Sequence, residues 1–282
     1  MKINHLGEIC KRRSTQNCFK TGFNAIFWER NSPFTPSLFS YIPQICLSEA
    51  DDVWGCTLFL ITFDHQYQSM SITLIIIIIT VLVSITAFSN DKVFNDFIFD
   101  PPAVTYDKQW YRFFTCGLIH ADYGHLIFNM YAFYMFGESV ERSFMGVFQE
   151  KGKLLYLILY ITALFACLVP TYIKHRTNGQ YRSLGASGAV SAVIFAFIML
   201  NPLDKMGLIF IPFFRIPSFI FGFLYLVISS ILDKRGGGGI NHSAHIFGAL
   251  YGIAFLIVTC YLVSDYHVLA AFIQQIRAYA GY

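Results

Sequence analysis

Charge is scarce in this chain. Asp, Glu, Lys and Arg make up 13% of its 282 residues, against 55% hydrophobic and 18% aromatic residues. Soluble domains are roughly a quarter charged, so the composition excludes an ordinary soluble fold and indicates a polytopic membrane protein. The net charge of +3 is too small to support nucleic-acid binding or an acidic substrate. Seven cysteines (Cys10, Cys18, Cys46, Cys56, Cys116, Cys167, Cys260) include no CxxC pair, which provides neither zinc-site spacing nor a disulfide framework. No HExxH occurs either, so a metalloprotease helix has no basis. No internal repeat supports an inverted-repeat transporter, and the N-terminus does not resemble a cleavable signal peptide.

What is present is a series of six apolar stretches of membrane length, near Ile72–Phe88, Ile119–Phe136, Leu154–Ile173, Leu184–Leu200, Ile216–Leu232 and Ser243–Val263. No Asp or Glu lies inside the last four, which removes a paired-carboxylate mechanism. Residues 1–69 differ in texture, with Lys11-Arg12-Arg13, three prolines and an apolar run, Val53–Phe63, too short to span. They read as an extension that is poorly ordered or outside the native core, and Met70 is a candidate start for a shorter product. Residues 70–263 form the six-span domain, with Gly236–Gly239 a flexible link before the last span. Residues 264–282 carry Val268, Leu269, Phe272, Ile273 and Ile276 at helical spacing, an amphipathic tail.

Polar side chains inside a bilayer are expensive and tend to mark function. With six spans, the second, fourth and sixth run in the same direction, and each has its unusual polar residues near its N-terminal end. These are His120, His125 and Asn129 in the second, Ser187 in the fourth and His245 in the sixth. All therefore fall in one leaflet. His125 and Asn129, at i and i+4, stand about 40° apart around a helix and share a face. The fourth stretch is short for a bilayer, so its N-terminus is expected to be sunk below the surface in a wet depression. There Ser187 would lie among the unpaired N–H groups of a helix start, donors suited to a developing oxyanion. Each residue also has a plainer reading: small-residue packing for Ser187, with Gly185 and Ala189, an interhelical hydrogen bond for His245, a polar clamp for His125 and Asn129. Gly248 and Gly252 are structural, permitting close packing of the fourth and sixth helices. The aromatic run Phe128, Tyr131, Phe133, Tyr134, Phe136 reads as lipid-facing or core.

Three elements in order, His120-x4-His125-x3-Asn129, Gly185-Ala186-Ser187-Gly188 and Ala244-His245-x2-Gly248-x3-Gly252, resemble the rhomboid family of intramembrane serine proteases. Trp110-Tyr111-Arg112 is similar to that family's tryptophan-arginine pair in the first loop, and Gly137-x3-Glu141 to the end of its second helix. The resemblance implies an all-α membrane protein, a rhomboid-like bundle of six transmembrane helices. It implies that Ser187 is the nucleophile and His245 the general base of a Ser–His dyad. His125 and Asn129, with the Ser187 backbone N–H, would hold the oxyanion. His120, Gly185, Gly188, Trp110, Arg112, Glu141, Gly248 and Gly252 would be supporting residues. It further implies a first loop dipping partly into the membrane and a gate at the fifth helix and its neighbouring loop. Ser191 departs from the pattern: several family members have an aromatic residue there, four after the nucleophile and beneath the histidine ring. Support for His245 has to come from elsewhere.

The expected partners are transmembrane protein substrates, with segments that unwind readily, and the lipid bilayer; no nucleic acid, metal or organic cofactor is expected. Oligomeric state is not encoded in any readable feature. A non-catalytic rhomboid-like chaperone binding client helices is the main rival, and a small proton-relay transporter a weaker one. Outside residues 1–69, Lys and Arg divide as six on the side of the N-terminus and eight opposite, against the positive-inside tendency. The family pattern instead favours an inside N-terminus with the site opening outward. The basic six-span core without a transit peptide suggests a bacterial inner membrane.

Overall fold

A helix occupies each of the six apolar stretches in the computed structural model, which describes residues 70–207, 215–235 and 241–282. All of these fall within one unit, Tyr67–Tyr282. The expectations for residues 1–69 and for the Gly236–Gly239 link lie outside the described residues.

Helix α1, Ile72–Ser89, begins where Ser71 Oγ accepts a bond from the Leu74 N–H at 3.1 Å. This is a serine N-cap satisfying one of the four unpaired donors of a helix start. The first loop then folds into three short helices: α2, Asp91–Phe97, α3, Pro101–Tyr106, and α4, Arg112–Thr115. Helix α5, Tyr123–Phe148, starts later than the apolar pattern suggested and continues well past Phe136. Asp122 fixes the start by accepting from the His125 N–H at 2.8 Å, and a cap outweighs the apolar Ile119 beyond it.

The third stretch is broken. Helix α6, Gly152–Ala166, stops at Cys167–Leu168, and α7, Val169–His175, restarts around Pro170. Proline lacks an N–H and its ring clashes with the preceding turn, so one continuous helix is disfavoured there. Helix α8 covers Ser187–Leu200, only 14 residues. A two-stranded antiparallel pair, β1 Lys205–Gly207 and β2 Arg215–Pro217, follows, with Met206 opposite Ile216. The sequence pattern contained no sign of this addition to an otherwise helical fold. Helix α9 is Ser218–Arg235, α10 His242–Val263, and α11 Val268–Tyr279.

By length and composition, three segments of the described residues are suited to crossing a membrane: Ile72–Ser89, the 53-residue stretch Tyr123–His175 and His242–Val263. The middle one contains α5, α6 and α7. Helix α8 is apolar but too short for that criterion. It is buried around nearly its whole circumference, from Gly188 to Met199 with Ile194 the exception, as expected for the central helix of a bundle. Its neighbours are α5, α6, α9, α10 and α11. On α5 the aromatic run divides: Phe133 is fully buried, whereas Phe128, Tyr131 and Tyr134 face outward.

The tightest pairing is between α8 and α10. A Cβ on Gly248 would lie 2.0 Å from the Gly188 carbonyl oxygen, and one on Gly252 would lie 2.1 Å from that of Ala192. The two backbones touch at successive turns, and only glycine permits it.

Candidate active site

Ser187 is the first residue of α8 and His245 lies in the first turn of α10. Their side chains meet: His245 Nε2 stands 2.7 Å from Ser187 Oγ, and both residues are half-buried. The glycine contacts just described hold the two helix starts together. Fourteen residues rise about 21 Å, short of the ~30 Å hydrocarbon core.

The start of α10 is fixed by its N-cap. Asn241 caps the helix, accepting from the Ala244 N–H at 3.1 Å, and its amide donates to Thr171 Oγ1 on α7 at 3.1 Å. An N-cap asparagine was a readable signal, but its tether to α7 was not.

The approach to Ser187 is clamped by the first loop. Phe99 and Ser183 exchange backbone bonds of 3.0 and 3.2 Å, and the Gly185 N–H donates to the Cys116 carbonyl at 2.9 Å. Gly185 has a φ of +102°, a region L side chains rarely adopt, and a Cβ there would stand 2.8 Å from His125 Cε1. The His125 ring is thus brought against the backbone leading to the serine. Gly188 faces Cys167: a Cβ would lie 2.5 Å from its sulfur.

His120 and Asn129 form a buried relay. Ser84 Oγ lies 2.9 Å from the Leu118 carbonyl, which can only accept, so the serine proton is committed there. His120 Nδ1, 2.9 Å from Ser84 Oγ, therefore donates to it. That leaves Nε2 of the neutral ring as an acceptor for the Asn129 amide at 2.8 Å. His120 is fully buried and its ring meets that of His125 edge-on at 5.0 Å. The resemblance made His120 a supporting residue, and in the structure it accepts from the Asn129 amide.

Arg112 is 7% exposed and donates through Nη1 to the carbonyls of Asn95 and Ile98 at 2.8 and 2.7 Å. Its Nε reaches Gln109 Oε1 at 2.5 Å. Trp110 stacks on Phe113, 6.0 Å between centroids and 8° between planes. Both residues belong to the loop's framework. Glu141 serves the other end of α5, accepting from the backbone N–H groups of Ile72 and Thr73 at 3.0 and 3.1 Å.

Among the described residues no group of His, Cys, Asp and Glu suits a metal ion, and no carboxylate bonds to His245. One residue near Ser187 and His245 was not anticipated. Tyr225 of α9 bonds through Oη to Ser191 Oγ at 2.7 Å, and its ring centroid is 6.4 Å from that of His245. Nothing in its sequence neighbourhood sets it apart from the other apolar and aromatic residues of that stretch.

A helical membrane bundle with a serine hydroxyl bonded to an imidazole, beside glycine-lined helix starts, defines a narrow class. The family model described as Rhomboid domain matches residues 107–262, more than half of the chain, and the protein belongs to the rhomboid family. It is 34% identical over 148 residues to RHOMBOID-like protein 12, mitochondrial, of Arabidopsis thaliana, covering 48% of this chain and 42% of that protein. Presenilin-associated rhomboid-like protein, mitochondrial, of Bos taurus is 30% identical over 149 residues, 49% of this chain and 35% of that one. Rhomboid protease GlpG of Haemophilus influenzae is 28% identical over 149 residues, 52% of this chain and 68% of that one. The chain spans less than half the length of the first two.

Proposed function

We propose that this protein is an intramembrane serine endopeptidase that cleaves transmembrane segments through a Ser187–His245 dyad. The observation that carries the reading is the 2.7 Å contact between Ser187 Oγ and His245 Nε2. That distance is within reach for a general base to take the hydroxyl proton as oxygen attacks the scissile carbonyl. His245 then passes the proton to the leaving amine, and water releases the acyl group. Charge on the carbonyl oxygen is met by the Ser187 backbone N–H, His125 and Asn129. Each well-aimed donor contributes about 3–4 kcal/mol to the transition state. Six membrane crossings, one for each apolar stretch, belong to the same proposal.

A carbonyl in an intact helix is bonded within the helix and shielded, so the substrate is a transmembrane segment with helix-weakening residues near the cut. The names of the Arabidopsis and bovine relatives are mitochondrial. We accordingly assign the protein to a mitochondrial membrane in preference to the bacterial inner membrane suggested by the core alone. Fractionation of cells carrying a tagged full chain tests this, and recovery outside mitochondria rejects it.

Activity is tested by reconstituting the full chain with a panel of transmembrane reporters and by reacting it with a fluorophosphonate probe. Cleavage and labelling that both disappear in Ser187→Ala support the endopeptidase. Capture of client helices with neither cleavage nor labelling in the unsubstituted protein would replace it by the chaperone.

A further inference from the structure

We infer that Tyr225 is the positioning residue of His245, holding the imidazole from α9 where the helix of the nucleophile offers only a serine. The inference rests on the dyad reading and adds to it the group that orients the base.

The geometry around Ser191 fixes the direction of the bonds. Ser191 lies one turn after Ser187 and is 3% exposed. Its Oγ is 2.8 Å from the Ser187 carbonyl oxygen, an acceptor only, so the Ser191 proton goes there. The Tyr225 hydroxyl, 2.7 Å from the same Oγ, is then the donor. Tyr225 is thereby tied through one bridging hydroxyl to the backbone of the nucleophile itself. Its ring is held at the side by Phe195, with centroids 5.6 Å apart and planes at 55°. At Gly222, three residues earlier, a Cβ would be only 2.9 Å from Ile198 Cδ1, so α9 lies close against α8 at this level.

His245 needs such a neighbour. No carboxylate among the described residues bonds to it, so nothing of that kind fixes its χ angles. The Tyr225 ring lies 6.4 Å away at 33°, and His242 approaches edge-on at 5.9 Å and 85°. Of these two rings, only that of Tyr225 is anchored at its far end to α8, the helix bearing Ser187. A small residue at position 191 leaves room for the tyrosine, and its hydroxyl supplies the anchor. The pair Ser191–Tyr225 therefore does between two helices what one aromatic side chain would do within a single helix. It also makes α9 part of the reactive geometry, because Tyr225 leaves the imidazole if α9 moves outward.

The test uses the full chain with a transmembrane reporter and the fluorophosphonate probe, comparing Tyr225→Leu, Tyr225→Phe and Ser191→Ala. Misplacing a reacting group by about 1 Å costs on the order of 10²-fold, so Tyr225→Leu should lower kcat and labelling by about 10- to 100-fold with KM within about twofold. Tyr225→Phe keeps the ring and should recover most of that loss. Equal rates for Tyr225→Leu and the unsubstituted protein overturn the assignment. So does an equal loss in Leu and Phe accompanied by a raised KM, which would make Tyr225 a substrate contact. If Tyr225→Leu does not fold, Ser191→Ala carries the test: it frees the hydroxyl and should reduce kcat about 3- to 10-fold, and an unchanged kcat rejects the inference. Should the unsubstituted protein neither label nor cleave, the dyad reading fails first; should it do both while Tyr225→Leu matches it, only the role of Tyr225 falls.

Discussion

The Gly248 backbone presses on the Gly188 carbonyl oxygen so closely that a Cβ on Gly248 would sit 2.0 Å from it. The contact is backbone against backbone, so no side-chain rotation relieves it, and α8 and α10 must separate to admit a methyl group. The Ser187–His245 contact bridges these same helices at 2.7 Å. Gly248→Ala should therefore lower fluorophosphonate labelling by about 10²-fold or more, the scale set by a 1 Å misplacement. Gly252→Ala, one turn further along, meets the Ala192 carbonyl at 2.1 Å and should lose thermal stability as well. Labelling and melting temperature of purified variants check both, and a fully reactive Gly248→Ala would show the close approach to be dispensable.

Removing either dyad side chain should remove nearly all turnover. Ser187→Ala and His245→Ala are each expected to lower kcat/KM by about 10⁴-fold or more, and together by little beyond that, because they act as a unit. The double variant is the informative measurement: losses that multiply would contradict a shared proton transfer.

How much of this was readable beforehand depends on which physical rule set each feature. The helical character of the six apolar stretches was legible because long apolar stretches between polar loops have few other stable forms in a bilayer. The Ser187 and His245 helices were legible as partners because Gly248 and Gly252 stand one turn apart on a single face. Helix ends were less so: Asp122 outweighed Ile119, and Cys167–Leu168 ahead of Pro170 broke what looked like one span. The β1–β2 pair left no trace in a pattern dominated by apolar residues. Tyr225 was hidden for a different reason. Its bond to Ser191 joins residues 34 apart in sequence, and no local periodicity encodes a contact between two helices that are apolar on most sides. The departure at Ser191 signalled only that something had to replace an aromatic ring.

His120 should resemble Asn129 more than a loop residue. The chain of bonds from Leu118 through Ser84 and His120 ends on the Asn129 amide, so His120→Ala leaves that amide without its partner. Both His120→Ala and Asn129→Ala are expected to lower kcat more than they raise KM, by about 10- to 100-fold, below the effect of losing the nucleophile because other donors remain. His120→Ala should in addition reduce stability, since a fully buried side chain and three linked hydrogen bonds are disturbed. A His120→Ala protein with full kcat and a lowered melting temperature alone would reduce this residue to packing.

Arg112 closes the first loop on itself through the carbonyls of Asn95 and Ile98. Its loss leaves two acceptors short of their charged donor at a site 7% exposed, which should cost about 1–3 kcal/mol per unsatisfied group. Lysine is a poor replacement, because one ammonium cannot reproduce a planar fork serving both carbonyls and Gln109. Arg112→Lys should therefore lie nearer to Arg112→Ala than to the original protein in melting temperature. The loop also bonds to Ser183 and Gly185 ahead of the nucleophile, so labelling of Ser187 should fall in step with the loop's stability. Proteolysis within residues 91–118 provides a direct readout.

Glu141 offers the opposite case, a buried charge-bearing residue with no part in the chemistry. It lies sixteen positions after His125 on α5, about 24 Å along the helix axis, and is 2% exposed. Its two oxygens accept from the Ile72 and Thr73 N–H groups at the positive end of α1, and Thr73 Oγ1 adds a third bond at 3.0 Å. Since the Thr73 proton goes to Glu141, the Tyr156 hydroxyl at 2.7 Å must donate to Thr73. Glu141→Gln turns one of these oxygens into an N–H facing other donors, so the network cannot be satisfied by any flip of the amide. The expected result is a loss of roughly 1–3 kcal/mol of stability, with kcat unchanged for the fraction that remains folded. Equilibrium unfolding in mild detergent, paired with active-site titration by the fluorophosphonate, separates the two effects. A drop in kcat per titrated site would mean that the cap of α1 is coupled to the distant dyad.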